Sequence, residues 1–381
     1  LAIELPDGRW CDRTVLARLH GASRSTRRRR VETVPITRYV AALGAYSHVL
    51  EGTRLSGRGG LLAVIDQLAG IEAPLTDWEE SIFPARLNDY DPAWLDELCL
   101  TGEVAWGRLT PKRLDEEAAK ARRVTPSRAT PISFFPRGDA PLWLAACRLD
   151  ELPPAPAQGP AAEVCALLSR RGACFRSEMP GLLERSPAEV DEGLFDLLAR
   201  GLVTADGFAA ARSLLSPKQR FARRRRALQG SRLSRGTLPA SEGRWSLLDP
   251  DPILELDAQL REELAERLAR VLVQRWGVVS FEVAQRESIR LPWREIRWAL
   301  RRLEATGELL AGRFVEGLSG EQFASHAMVE MLGTLVEGEA TLAASDPINL
   351  TGIVVPGARV PAVRRRQVLL SDGRLSELIA S

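Results

Sequence analysis

Three stretches of this chain share one order of apolar and polar positions: a helical stripe entered at a Pro, a stop at a Gly, then a strand-like run. The first is Asp91-Pro-Ala-Trp-Leu-Asp-Glu-Leu-Cys-Leu-Thr-Gly-Glu-Val-Ala-Trp106. The second is Ser186-Pro-Ala-Glu-Val-Asp-Glu-Gly-Leu-Phe-Asp-Leu-Leu-Ala-Arg-Gly-Leu-Val203. The third is Leu291-Pro-Trp-Arg-Glu-Ile-Arg-Trp-Ala-Leu-Arg-Arg-Leu-Glu-Ala-Thr-Gly-Glu-Leu309. Pro92, Pro187 and Pro292 fall in a first helical turn, where the missing N–H costs no intrahelical bond. This order is the sequence form of a winged helix, a recognition helix followed by a β-hairpin wing. The first two helices are acidic. The third carries Arg294, Arg297, Arg301 and Arg302, so it is the one expected to meet phosphates.

Extending this reading along the chain gives a mainly α fold with small β content, tandem winged helices followed by a strand-rich, barrel-like C-terminal element. An N-terminal helical segment covers 1–58, with a turn at Pro6-Asp7-Gly8, a helix around Asp12–Leu19, a charged run from Arg24 to Arg30, and a helix from about Ile36 to Leu50. Winged helix 1 covers 59–123 and a Pro-rich connector 124–159. Winged helix 2 covers 160–215, its wing at Thr204–Ala209 turning on Asp206-Gly207. The span 216–256 is a basic linker: Ser216–Ser241 holds Lys218, Arg220, Arg223, Arg224, Arg225, Arg226, Arg232 and Arg235 and no acid. Such a tract reads as a solvated linker or as an arm over phosphates, and the two are compatible. Winged helix 3 covers 257–341, and the β-rich element 342–381 is expected to place strands at Ile348–Val355, Gln367–Leu370 and Leu375–Ile379. Asp372-Gly373 marks a hairpin between the last two.

On the third helix Ile296, Leu300 and Leu303 form the stripe to be buried. Arg294, Trp298, Arg301, Arg302 and Ala305 fall on the other side. A Trp amid exposed cations has no core role and suits stacking on a base or a covered inter-module contact. Arg313 and Phe314 on the wing are expected to follow a nucleic-acid backbone. The acidic helices of the first two modules would repel phosphate and read as packing elements.

Composition narrows the chemistry. The chain has 381 residues, 45% hydrophobic and 27% charged, with a net charge of only +2, so any basic signal is local. Cysteines at 11, 99, 147, 165 and 174 form no CxxC pair, and the three histidines are isolated, so a metal site has little support. No apolar run approaches the ~20 residues of a membrane span. No phosphate-binding GxxxxGK[ST] loop and no GxSxG elbow is present. No cofactor is therefore expected for this segment. The chain opens on Leu1 rather than Met, which suggests a piece of a longer polypeptide.

Several long phrases resemble the Lhr family, the large helicase-related proteins: Asp89–Arg108, Gly243-Arg-Trp-Ser-Leu-Leu248, Gly312-Arg-Phe-Val-Glu-Gly-Leu-Ser-Gly-Glu-Gln-Phe-Ala324, Asp346-Pro-Ile-Asn-Leu-Thr-Gly352 and Val355-Pro-Gly-Ala-Arg-Val-Pro361. The resemblance covers nearly the whole chain and points to the region after the helicase core of the long bacterial form. It implies a superfamily 2 motor elsewhere in the polypeptide, with ATP and Mg belonging to that motor alone. It implies DNA, single-stranded or junction-containing, as partner, together with the chain's own helicase core and further copies in a homo-oligomer. A role in DNA repair in the bacterial cytoplasm, associated with the nucleoid and not with membrane, follows from the same likeness. The family's C-terminal region is similar to winged-helix DNA glycosylases, which raises removal of uracil or another damaged base as an alternative, and a scaffold for the motor as a third. Asp372 is then the candidate catalytic carboxylate, although Asp-Gly is first a turn signal. Arg359, Arg364, Arg365 and Arg366 are candidates to hold phosphates beside it. The Gln-x-Gln pattern of the related alkylpurine glycosylases is absent.

Overall fold

The computed structural model describes residues 2–4, 10–12, 15, 32–111, 129–149, 151–215, 243–249, 256–363 and 365–378. The turn at 6–8, the charged run 24–30, the basic tract 216–241 and Arg364 lie outside the described residues. Of the helix expected around 12–19, only residues 12 and 15 are described. The strands Ala2–Glu4 and Trp10–Asp12 that flank the expected turn pair antiparallel.

Each winged helix is a helical hairpin closed by a three-stranded sheet. In the first, helix Gly57–Leu68 leads through strand Ala73–Pro74 and a continuous helical stretch, Leu75–Asp77, Trp78–Ile82 and Phe83–Arg86, to the recognition helix Pro92–Leu100. Asp91 caps that helix by accepting from the Ala93 N–H at 2.9 Å. Its sheet runs Ala73–Pro74, Pro131–Pro136, Val104–Gly107. The strand at 131–136 therefore belongs to this module and not to a connector. Ile132, Phe134 and Phe135 are fully buried, and the partner that buries them lies nearly thirty positions upstream, out of reach of local pattern.

The second module repeats the plan with helices Pro160–Arg171, Met179–Leu183 and Pro187–Arg200 and strands Ala173–Phe175, Arg244–Leu247 and Val203–Ala205, in that sheet order. Ser186 and Glu189 form a reciprocal capping box at the start of its long helix. Asp206-Gly207 does not close a tight hairpin; it leads into a further helix, Ala209–Leu215. The returning wing strand is Arg244–Leu247, so the module extends past 215 and the basic tract falls between its two wing strands.

The third module comprises helices Ala258–Trp276, Phe281–Ala284 and Trp293–Thr306, and a sheet ordered Val278–Val279, Gln322–Ala324, Leu310–Gly312. Helix His326–Gly333 follows. The C-terminal element is an antiparallel sheet in the order Glu339–Ala343, Gln367–Ser371, Arg374–Leu378. Among the described residues it remains open, and no closed barrel forms. The strand expected over 348–355 is absent. That stretch is a turn-rich knot in which the Asn349 side chain donates to Ala344 and Val360 carbonyls, at 2.7 and 3.0 Å, and Thr351 Oγ1 donates to Asn349 Oδ1 at 2.6 Å. Side chains here satisfy the backbone that a ladder would otherwise satisfy.

The core is shared across modules. One apolar cluster joins the first two winged helices around Trp106, which meets Phe208 and Trp245 edge-on at 5.4 and 6.0 Å between ring centroids. A second joins the third module, the C-terminal sheet and helix Ile36–Tyr46. Tyr39 on that helix donates to the Trp276 carbonyl at 3.1 Å. Gly373 has to be glycine: its φ is +79°, and a Cβ there would fall 1.8 Å from the Thr37 carbonyl oxygen.

Buried arginines fasten the joints. Arg86 of the first module is 0% exposed and forms a bidentate pair with Asp346 of the C-terminal element, at 2.7 and 2.9 Å. We predict that Asp346→Ala, which strands the Arg86 charge, destabilises the chain by about 3–5 kcal/mol. Arg86→Met combined with Asp346→Leu should cost far less. Denaturant unfolding of the three proteins checks this, and equal losses would show that the pair does not act as a unit.

Candidate nucleic-acid interface

The third recognition helix, Trp293–Thr306, ends at Gly307 with φ +85°. One face buries Ile296, Ala299, Leu300 and Leu303 against helix Ala258–Trp276. The other leaves Trp298 at 61% exposure, far above the nearly closed Leu300 and Leu303, so the helical phase read from sequence holds. Arg294 is exposed and meets no carboxylate among the described residues. Arg301 pairs with Glu321 at 2.9 Å, and Arg297 approaches the same carboxylate at 3.8 Å. Arg302 pairs with Glu262 and lies 3.9 Å from Glu266.

The face is thus less positive than the helix alone suggests, because the carboxylates come from another helix and from the wing. These side chains are 40–45% exposed on the arginine side. Ion pairs so exposed are worth about 0–1 kcal/mol and exchange readily for phosphate.

The wing is held firmly. Gln322 is fully buried: its Oε1 accepts from the Phe314 and Val315 N–H groups at 2.8 Å, and its Nε2 donates to the Val315 carbonyl at 2.9 Å. One amide thereby satisfies the turn from inside. Val34 bridges Val315 from outside the module, donating to the Phe314 carbonyl at 2.9 Å and accepting from Glu316 at 2.9 Å. Phe314 is 0% exposed, so it cannot follow a nucleic-acid backbone; the sequence reading missed that this side chain fills the space beneath the wing. Arg313 is exposed.

The acidic helices of the other modules spend their carboxylates internally. Asp96 of the first recognition helix accepts from Arg212 at 2.7 Å and from the Ala209 N–H at 3.1 Å, both in the second module. Glu79 also binds Arg212, at 2.6 and 2.8 Å. Asp191 of the second module binds Arg176 of the same module.

The C-terminal candidates are dispersed. Asp372 is exposed, with φ +47°, and its Oδ1 accepts from the Gly338 N–H at 3.0 Å. That is the work of a turn residue. Arg366 pairs with Glu377 at 2.9 Å, while Arg359 and Arg365 are exposed. No hydrogen bond or ion pair among the described residues joins Asp372 to Arg359, Arg365 or Arg366. No cluster of His, Cys, Asp and Glu able to hold a metal ion occurs among the described residues. No helix there is long and apolar enough to cross a membrane.

Glu282, at the start of the short second helix, reaches the wing by accepting from the Ser319 N–H at 2.9 Å and from its hydroxyl. Burial alone would push this carboxyl up. The hydrogen bonds from Ser319 and neighbouring backbone outweigh it, and the net shift is downward. A depressed carboxyl contributes stability above its ordinary value of 4.5 that is lost as pH falls through the lowered one. Amide exchange at Ser319 is therefore expected to accelerate, relative to Phe323, only below that ordinary value, and Glu282→Gln should show the fast exchange already at neutral pH. Protection that is unchanged in the variant would remove Glu282 as the wing's tether.

Two family models for the winged-helix domains of large helicase-related protein match this chain, over residues 34–135 and 258–343. A Mycolicibacterium smegmatis protein described as "Lhr helicase/ probable uracil glycosylase" is 32% identical across 98% of this chain. An Escherichia coli "Lhr helicase/uracil glycosylase" is 29% identical across 98% of it. The chain spans 25% and 26% of the length of these two relatives. Among solved structures, the Streptomyces sahachiroi DNA glycosylase AlkZ superposes with a TM-score of 0.51 and 14% identity, over 90% of this chain and 87% of that one. At that identity the likeness is one of fold.

Proposed function

We propose, from the premise that this chain belongs to the Lhr family and fits its C-terminal region, that it is a DNA-binding region serving an ATP-dependent helicase motor in DNA repair. The observation that carries this reading is the outer face of helix Trp293–Thr306, where a 61% exposed Trp298 stands among Arg294, Arg297, Arg301 and Arg302. Arginine forks bind phosphate oxygens and release condensed counterions, which gives affinity without sequence reading. An indole at such a site stacks on any unpaired base. Single-stranded or junction DNA therefore suits it better than uninterrupted duplex. Glu321 and Glu262 hold the guanidinium groups in place before DNA arrives, and Arg313 on the wing extends the track. ATP and Mg belong to the motor and have no role in this binding step.

A second reading, removal of uracil or another base, is favoured by the relatives' names and by the AlkZ-like fold. In it Asp372, the candidate carboxylate, would orient water or support positive charge developing on the sugar. Its bond to Gly338 opposes that role and favours the turn.

Binding of this chain to a single-stranded oligonucleotide, without ATP, is expected to weaken with salt at a log–log slope of about −0.7 per phosphate contact. Arg294→Ala and Trp298→Ala should each weaken it, the latter by roughly 1–3 kcal/mol if a base stacks there. Glu189→Ala should have little effect. Affinity that ignores salt and both substitutions sinks the reading and leaves the scaffold role.

The enzymatic reading has its own assay. A uracil-containing strand incubated with the chain and then treated with alkali should be cleaved if base is released, and Asp372→Asn, which keeps the turn, should abolish cleavage. Equal cleavage by the variant, or none by the parent, removes Asp372.

A further inference from the structure

Two aromatic rings meet at the entrance to the third recognition helix. Phe281 opens the short helix Phe281–Ala284 and is 42% exposed. Trp293 is the first residue of helix Trp293–Thr306 and is half-buried, packed in part against the core. Their ring centroids lie 6.2 Å apart with the planes inclined at 55°, so the rings touch without stacking flat on each other. A phenylalanine left so open gains little from burial, and the fold gives it no core role.

The carboxylates next to these rings in sequence are turned to protein donors. Glu282, beside Phe281, accepts from the Ser319 N–H of the wing at 2.9 Å. Glu295, two residues after Trp293, accepts from Arg261 at 2.6 Å. Arg294, by contrast, is exposed and meets no carboxylate among the described residues. Helical spacing then sets ring beside cation twice. Trp293 and Arg297 are four residues apart, as are Arg294 and Trp298, and such positions are neighbours on a helix surface, about 5–6 Å apart between Cβ atoms. At about 100° per residue the order around the helix is Trp293, Arg297, Arg301, Arg294, Trp298. The band of arginines therefore has an indole at each edge.

We infer that Phe281 and Trp293 form a second base-stacking station, which takes an unpaired base of a DNA strand whose phosphates lie on Arg294 and Arg297. The inference rests on the DNA-binding reading of this helix and adds a site at the edge opposite Trp298. A nucleotide carries a flat base beside an anionic phosphate, and the station offers a ring beside a cation. Every base has a π-face, so the station accepts any of them. The tilt between the rings lets one meet a base face while the other meets its edge. A folded protein finds less here. Two rings supply at most about 300–500 Å² of apolar surface, well below the roughly 800 Å² a side that a stable protein interface buries.

Binding of this chain to two single strands of equal length tests it: an oligodeoxyadenylate, and a strand of abasic tetrahydrofuran residues that keeps every phosphate and lacks every base. Phe281→Ala is expected to weaken binding of the first by about fivefold or more. It should leave the abasic strand and the salt slope as in the parent, because no phosphate contact is lost. Phe281→Tyr, which retains the ring, should restore the preference for the base-bearing strand. The loss should persist in a Trp298→Ala background, since the two stations lie on opposite edges of the band.

Other outcomes overturn it, and they separate the station from the reading beneath it. If Arg294→Ala weakens both strands while Phe281→Ala changes neither, the helix binds DNA and the aromatic pair is no station. If Phe281→Ala weakens both strands alike, the ring supports the fold and does not meet a base. If Phe281→Ala alters the oligomeric state by light scattering but keeps the preference for bases, the pair is a protein contact. A parent chain that binds neither strand removes the station and the DNA-binding reading together.

Discussion

The bidentate bond between Arg86 and Asp346 sets the constraint that the rest of the structure obeys. Both side chains are essentially closed to water, at 0% and 1% exposure. A lone charge in that position would cost several kcal/mol, so neither module can settle without the other. Arg275 repeats the device, spanning the third module and the carbonyls of Gln67 and Ala69 in the first. Arg148 repeats it again, donating to the Leu109 carbonyl at 3.1 Å and the Gly201 carbonyl at 2.6 Å across the first and second modules. Such joints add little net stability over apolar packing, but undoing one leaves a buried charge without its counterpart.

That economy explains a chain with many arginines and almost no net charge. The joints consume cations and carboxylates in pairs, and the acidic recognition helices of the first two modules supply several of the anions. Asp96 is at once on the helix that would face DNA in an isolated winged helix and on the contact that holds the second module. The third helix keeps its outward face free of such a task. Its ion pairs engage half-buried Glu321 and exposed Glu262, and the arginine side of each stays open to water.

What the sequence made legible followed from local chemistry. Helix limits at Asp91, Ser186, Gly201 and Gly307 were readable because capping and stopping depend on one or two adjacent residues. The exposure of Trp298 was readable because a 3.6-residue period fixes its side relative to Ile296 and Leu300. Phe314 was misplaced because two residues cannot reveal what lies beneath a wing; the signal was Gln322, an amide in an otherwise apolar strand. The knot at 348–355 was read as a strand because its apolar residues mimic one, whereas Asn349 and Thr351 redirect its backbone bonds. The partner of Arg86 was out of reach, since Asp346 lies 260 residues further along the chain in the C-terminal element.

The same limit applies to the basic tract, with a consequence for how the molecule is read. Nothing local to 216–241 distinguishes a linker between domains from an insertion within one. The pairing of Trp245 with Ala205 decides it: the strands on either side of the tract are neighbours in one sheet. The stretch before the tract is fastened as well, because Arg212 binds Glu79 and Asp96 in the first module. The first module follows the same plan, with residues 108–130 between its wing strands, whereas the third returns after a short turn that Gln322 fills.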